Sequence, residues 1–375
     1  MNIEKLKLEN FRNLEKSVLE PDSNVNIIFG DNAQGKTNIL EAIWIFTGGR
    51  SFRNTKDLDL INFKETFSKL EISLFTENRT QNLKIELSKP KRKVYVNDVL
   101  KHTPSDYVGK FCSVIFSPTH LSLIKDGPQH RRRFLDAAIC QINPTYAKRL
   151  TIYNHILNQR NQLLKSIKAK PNLEDTLFVW NDRLSKEAAV IISLRLQYVN
   201  LLKEYTKSIY KNFTKEKENL SLSYFSNSLS KDLMKKSENE EEEIDIEEIS
   251  EYVLTRLRDV KNEETILGYT TVGPHRDDFE IYINNKKAKI FASQGQQRSA
   301  VLSLKLAESE IVEKNCKKTP VILLDDVMSE LDSQRQDFIL NSISNRQVFI
   351  TCCDPTSLTK MTAGKTYEVK SGRIT

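Results

Sequence analysis

Apolar and charged residues alternate from Ile3 to Leu8, a polar turn follows at Asn10–Asn13, and the apolar run Val25–Phe29 ends abruptly at Gly30. The alternation predicts short strands with one buried face, and the continuous run predicts a fully buried strand. The period then changes: Ile39, Leu40, Ile43 and Trp44 recur at helical spacing within Lys36–Phe46, and Gly48-Gly49 stops the helix. Strand-like alternation returns over Leu70–Val99, with a turn at Asn97-Asp98, and Phe111–Phe116 is a further apolar strand. From Pro128 to about Lys215 the chain lacks glycine and reads as helix, interrupted at Pro144 and Pro171. Helices of roughly 25 to 30 residues there would be about 40 Å long. Asp278–Ile283, Val321–Val327 and Val348–Cys352 then read as strands, interleaved with helices over Gly295–Lys314 and Ser333–Ser344. This order predicts an α/β head built from the two ends of the chain, residues 1–120 plus 260–375, around an inserted, mainly helical lobe, 121–259.

Composition narrows the functional classes. The 375 residues are 39% hydrophobic, enough for an ordinary core. The formal charge of +7 understates the basic character, because Glu238–Glu251 holds nine acidic residues and no basic one. That tract reads as a solvated loop or helix face. The basic remainder favours a polyanionic partner, which points to nucleic acid. Five cysteines without a C-x-x-C pair, and five scattered histidines, predict a reduced cytoplasmic protein without a zinc site. The alternating start is unlike a signal peptide, and no segment is apolar for long enough to span a bilayer, so no membrane partner is expected.

Gly30-Asp31-Asn32-Ala33-Gln34-Gly35-Lys36-Thr37 satisfies G-x-x-x-x-G-K-[ST] between an apolar strand and an amphipathic helix, the setting that pattern requires. The glycines let backbone N–H groups wrap phosphate oxygens in front of a helix N-terminus. Lys36 is expected to reach the β- and γ-phosphates of ATP, and the Thr37 hydroxyl to ligate Mg²⁺. The acidic metal partner follows a buried strand, and Val321-Ile322-Leu323-Leu324-Asp325 supplies it. Asp326 stands where a carboxylate could orient or deprotonate an attacking water. Ser293-Gln294-Gly295-Gln296-Gln297-Arg298 opens a second helix with a serine and a glycine, which reads either as ordinary capping or as an anion site for a γ-phosphate bound in trans.

That hexapeptide resembles the signature motif of ABC-type ATPases, and Ser329-Glu330-Leu331-Asp332 resembles their D-loop. Together with Glu9-Asn10-Phe11-Arg12-Asn13-Leu14, Gly273-Pro274-His275-Arg276-Asp277-Asp278 and Leu324–Asp332, these motifs make the chain resemble, from end to end, the RecF family of bacterial recombination mediators. The resemblance implies a P-loop NTPase of ABC-ATPase, SMC head-like type with an inserted helical lobe. It further implies ATP and Mg²⁺ as cofactors, ATP-dependent homodimerisation on double-stranded and gapped DNA, and weak DNA-stimulated hydrolysis. RecO and RecR are the implied partners in loading RecA at single-stranded gaps, in recombinational repair and replication restart. Carried over by motif, Gly30, Asp31, Asn32, Ala33, Gln34, Gly35, Lys36 and Thr37 would hold the phosphates, Asp325 the magnesium and Asp326 the water. Ser293, Gln294, Gly295 and Gln296 would hold the partner's γ-phosphate, and Arg12 would reach the nucleotide. The sequence departs from the family pattern at Pro118-Thr119-His120, where acidic residues are commoner, and at Cys352-Cys353, where hydroxyl residues are. The switch histidine of transporter-type heads is absent near Thr351, which stands in its place.

Three arginines, Arg131, Arg132 and Arg133, open a helix and oppose its dipole, which points to an anion or acidic partner nearby. With Lys91, Arg92 and Lys93 they are the DNA-binding candidates, since a phosphate backbone asks for charge and no sequence readout. Lys89, Lys165, Lys168 and Lys170 could extend such a track. Two other functions share part of this pattern. The ATPase subunit of a membrane transporter shares the phosphate and signature motifs but lacks the Pro274-His275-Arg276-Asp277-Asp278 segment and the large insert. A DNA-binding scaffold that holds ATP without turnover would be indifferent to Asp326.

Overall fold

The structure, a computed structural model, describes residues 1–53, 55–103, 106–238, 244–356 and 364–374. The chain opens with β1 (Asn2–Phe11), β2 (Leu14–Leu19), β3 (Val25–Phe29) and α1 (Lys36–Ile45). Next come β4 (Ser68–Thr76), β5 (Arg79–Leu87), β6 (Lys93–Val96), β7 (Val99–Lys101) and β8 (Ser113–Phe116). The helical stretch comprises α2 (Ser122–Lys125), α3 (Pro128–Ile142), α4 (Pro144–Ile167) and α5 (Leu177–Phe213). It is followed by β9 (Leu220–Phe225), α6 (Lys231–Glu238), α7 (Ile246–Asp259), α8 (Lys261–Leu267), β10 (Asp278–Ile283), β11 (Lys286–Lys287) and α9 (Ala288–Phe291). The chain ends with α10 (Gln294–Cys316), β12 (Val321–Asp325), α11 (Ser333–Ser342), β13 (Val348–Cys352), β14 (Gly364–Lys370) and β15 (Arg373–Ile374).

Two contact-dense units divide the chain. The first comprises Met1–Leu121, Cys140–Ile142 and Arg298–Thr375, the second Ser122–Ile139 and Asn143–Gln297. The first boundary falls beside the expected one, but the second does not. Residues 260–297, expected in the head, belong to the second unit, because β10 pairs along its whole length with β9. A strand cannot leave the ladder that satisfies its N–H and C=O groups.

The head contains two six-stranded sheets. One is antiparallel, in the order β2-β1-β4-β5-β6-β7. The other, β15-β14-β3-β13-β12-β8, is parallel from β14 to β8. Helix α1 packs on both, touching β1 on one side and β8, β12 and β13 on the other, and every residue from Ile39 to Ile45 is buried. Strands β12 and β13 are buried at all five positions, as parallel strands covered on both faces must be.

In the second unit, α4 packs on α5, and α5 on α7 and β9. Its centre is unusually polar. Arg195, 2% exposed, donates to the Tyr146 hydroxyl at 2.9 Å, to Asp136 at 2.7 Å and to the carbonyl of Pro274 at 2.5 Å. Asp277 accepts from Tyr224 at 2.5 Å and Ser226 at 2.6 Å. Arg160 and Glu264, both fully buried, pair at 2.7 Å. The acidic tract resolves into the first turns of α7, where Asp245 caps the helix by accepting from the N–H of Glu247; residues 239–243 of that tract lie outside the described residues.

Candidate nucleotide-binding site

Strand β3 delivers the chain to Gly30, whose φ of 144° and contact with β14 leave no room for a side chain: a Cβ would stand 2.4 Å from the carbonyl oxygen of Val369. Gly35, at φ 118°, is equally tight against the Asn13 side chain. Gly35 is also the N-cap of α1 and provides no side-chain cap, so the first-turn N–H groups remain available for an anion. Asp31, Asn32 and Ala33 are exposed around this cradle. The loop is held from outside as well. Asn13 donates to the carbonyl of Gln34 at 2.9 Å, and the Gln34 side chain accepts from the N–H of Ser371 at 2.5 Å, 337 residues along the chain.

Lys36, 4% exposed, curls over the loop and donates to the carbonyls of Gly30 at 2.7 Å and Asp31 at 3.0 Å. Its ammonium is thus held within the cradle. The Thr37 hydroxyl donates to Asp325 at 2.7 Å, joining the first turn of α1 to the end of β12. Burial pushes the Asp325 carboxyl above the usual carboxylate range, with Asp326 adding to the rise and the hydroxyls of Thr37 and Thr351 opposing it. A buried carboxylate beside a hydroxyl is a hard oxygen pair that suits Mg²⁺, and a cation there would relieve the cost of ionising Asp325.

Asp326 adopts φ 52°, a left-handed conformation that costs about 1 kcal/mol for a residue with a side chain. Its N–H donates to the Thr351 hydroxyl at 2.9 Å, and its carbonyl accepts from Ser329 at 2.9 Å. Thr351, fully buried, also donates to Asp325 at 3.1 Å, so one side chain sets the relation between the two acids.

Beyond Asp326, Arg298 donates to the carbonyl of Glu330 at 2.8 Å and pairs with its carboxylate at 3.3 Å. Asp332 caps α11. The Ser329–Asp332 segment is therefore fastened to α10. Ser293 and Gln296 form a reciprocal cap in the second unit: the Ser293 hydroxyl accepts from the N–H of Gln296 at 3.2 Å, and the Gln296 side chain accepts from the N–H of Ser293 at 2.8 Å. Gln294 is exposed and Gly295 half-buried in the same turn.

Several expectations need correction. The Arg12 guanidinium grips Glu41 in α1 with two bonds of 2.8 Å, because a fully buried carboxylate needs a cation. Arg131, 7% exposed, forms a two-pronged pair with Asp278 at 2.7 and 2.8 Å, which removes it from the DNA candidates. Arg132 is half-buried on the carbonyl of Asp277, and Arg133 alone of the three is exposed. Arg92 is likewise committed to Asp57 at 2.6 and 2.9 Å, while Lys91 and Lys93 are exposed. Glycine-rich and basic strings reveal residue type but not which cations have internal partners.

Asn13 and the Ser371-Gly372 turn escaped assignment to the site because each acts through the fold. Cys353 did too: its thiol lies 3.8 Å from the Lys36 ammonium and 3.2 Å from the Asn32 side chain. The Gly273–Asp278 motif proves to be the hub of the second unit's polar core. Its His275 accepts or donates at Tyr153 at 2.6 Å and at the carbonyl of Thr270 at 3.0 Å; since a carbonyl only accepts, Nε2 carries the proton and Nδ1 accepts from Tyr153.

Comparison with known proteins agrees with this arrangement. The model of the RecF/RecN/SMC N-terminal domain matches residues 2–374. The DNA replication and repair protein RecF of Acetivibrio thermocellus is 40% identical over 355 residues, covering 94% of each chain. That of Bacillus cytotoxicus is 37% identical over 377 residues, covering 100% of this chain and 98% of its own. The solved structure of the recombination mediator protein RecF with ATP, in the RecFOR pathway, superimposes with a TM-score of 0.91 at 34% identity, over 100% of this chain and 97% of that one. An SMC head bound to the C-terminal winged-helix domain of ScpA matches at a TM-score of 0.55 and 16% identity, a likeness of fold alone. With its phosphate loop, paired acids and end-to-end match, the chain belongs to the RecF family of DNA replication and repair proteins, within the SMC head type of ABC ATPase.

Proposed function

We propose that this protein is an ATP-gated DNA clamp of recombinational repair and replication restart, working in the cytoplasm. The observation that carries the proposal is the convergence of Lys36, Thr37, Asp325 and Asp326 at one end of the parallel sheet, with Thr37 and Asp325 2.7 Å apart. Phosphoryl transfer needs a cationic cradle, a hard metal site and a group to orient water, and these four supply them. The loop N–H groups and Lys36 bind the triphosphate, Thr37 and Asp325 hold Mg²⁺, and Asp326 positions the attacking water. Bound Mg²⁺ would neutralise charge developing on the phosphates.

A second copy completes the site. Ser293 accepts from Gln296 and can still donate its own hydroxyl proton to a γ-phosphate of the partner head. Dimerisation is thereby tied to ATP, and DNA affinity to dimerisation by linkage. Hydrolysis is slow and DNA-stimulated, and releases the clamp. The RecFOR pathway of the solved relative supports RecO and RecR as partners; the proposal adds RecA as the protein loaded at single-stranded gaps and double-stranded or gapped DNA as the platform.

Sedimentation of the purified protein with ATP and Mg²⁺, with and without gapped DNA, tests this beside Lys36→Met. An ATP-dependent dimer that retains DNA, absent in the variant, is expected. A monomer under every condition would refute trans completion.

A further inference from the structure

The head's antiparallel sheet carries a second cavity, separate from the phosphate loop. It is a cleft of about 400 Å³ between the β5–β6 connection and the segment after β7. Lys91, Arg92, Lys101 and His102 line it, with Asp57 its one carboxylate. Asp57 is taken up by the Arg92 fork, at 2.6 and 2.9 Å. Lys91 and Lys101 have no carboxylate within ion-pairing distance among the described residues. Asp106, which accepts from the N–H of the lining Thr103 at 3.0 Å, offsets part of the Lys101 charge, and the cleft keeps a surplus of positive charge in a concave surface, where an anion is attracted more strongly than on a convex one.

The floor is rigid. Arg92, with its side chain 11% exposed, also donates to the carbonyl of Gly49 at 3.1 Å. Tyr107, another lining residue, packs against Gly48, where an added Cβ would stand 3.1 Å from its ring. Leu58, 45% exposed, offers an apolar rim on which a sugar ring could rest. The volume suits a sugar-phosphate unit and lies within the range of ordinary ligand sites, about 300 to 1,000 Å³.

From this geometry we infer that the cleft seats the sugar-phosphate backbone of DNA, with Lys91 and Lys101 contacting phosphate and Arg92 acting as a positioning residue. The inference rests on the DNA-binding reading above and gives that reading a place on the head. An acidic protein segment fits less well, since the exposed apolar Leu58 stands in the lining beside the cations and offers a carboxylate nothing. Gly48 and Gly49 directly follow α1, the helix that starts at Lys36 and Thr37. The cleft and the nucleotide site thus stand at opposite ends of one ten-residue helix, about 15 Å long. DNA in the cleft and ATP on the loop would bear on the same rigid element, and any effect of one on the other's affinity must be reciprocal.

The experiment compares the full-length protein with Lys91→Ala/Lys101→Ala and with Lys168→Ala/Lys170→Ala, whose lysines are exposed on the second unit. Binding of a labelled mixed-sequence duplex is followed across a salt series by fluorescence anisotropy. Binding of a fluorescent ATP analogue and thermal melting report on the loop and the fold. The cleft variant is expected to keep nucleotide affinity and melting temperature, to lose about 10-fold in DNA affinity at moderate salt, and to reduce the salt slope by about 2. Unchanged affinity and slope in the cleft variant, with the parent binding DNA, would overturn the cleft and leave the DNA reading intact; loss confined to the Lys168/Lys170 variant would move DNA to the second unit. A parent protein without DNA affinity would overturn both. Poly-glutamate competing with the duplex at equal charge concentration, with its affinity lowered by the same variant, would assign the cleft to an acidic protein instead.

Discussion

At the residue scale, the two adjacent acids Asp325 and Asp326 stand in different surroundings. Asp325 is buried and hydrogen-bonded by Thr37 and Thr351, which suits a metal ligand, whereas half-buried Asp326 is turned by its left-handed backbone and is open to water. Asp326→Asn is accordingly expected to retain ATP and to lower single-turnover hydrolysis by roughly 10² to 10⁴. Retained hydrolysis would assign water activation elsewhere. His275 makes a different prediction. Burial is the main cause of its pKa falling from 6.5 to about 4. The folded state keeps the imidazole neutral while the unfolded chain takes up a proton, so stability is present above pH 6.5 and is lost as pH falls toward 4. The loss reaches about 3 kcal/mol at most. Melting temperatures measured over that window should fall more steeply for the parent than for His275→Gln, and equal slopes would trace acid sensitivity to other groups.

At the element scale, α1 and the segment of α10 from Arg298 onward are largely buried helices, while the second unit is organised around a polar hub. Arg195 ties α3 through Asp136, α4 through Tyr146 and the Gly273–Asp278 turn through Pro274. Replacing one partner leaves buried charge unpaired, at a cost of about 3 to 5 kcal/mol. Arg195→Met should thus lower protection from hydrogen exchange in α4, α5 and β10 together. Protection lost at α4 alone would show that the hub does not bind the elements into one unit. Gly35→Ala tests the loop itself. Its φ of 118° and the Asn13 side chain beside it exclude a methyl group, so nucleotide binding should be lost while the fold persists.

At the scale of the whole molecule, the proposed trans completion of the phosphate loop by a second copy makes the exposed start of α10 part of the interface between copies. Ser293→Arg puts a bulky cation at the exposed cap of α10. The variant is expected to bind ATP as a monomer and remain monomeric in sedimentation with ATP and Mg²⁺. ATP-dependent dimers of this variant would show that the cap of α10 is not part of the interface.

Local sequence determined a great deal here. Val25–Phe29, Asp278–Ile283 and Val348–Cys352 were legible to the residue as strands, because continuous or alternating apolar side chains satisfy only one backbone period. The loop pattern and the acid that ends a buried strand were legible as strings, and the structure brings Thr37 and Asp325 together at 2.7 Å. Strand β14 escaped notice since its residues are mostly exposed and carry little apolar pattern. The commitments of Arg12, Arg92 and Arg131 were also hidden, as was the support that Thr351 and Ser371 lend to residues far along the chain. A guanidinium has the same charge whether it meets water, DNA or a buried carboxylate, and only the packed chain decides which. The sequence by itself thus determined the elements and the chemistry of the loop; tertiary structure decided which charges remain free to act, because pairing depends on neighbours in space and not in sequence.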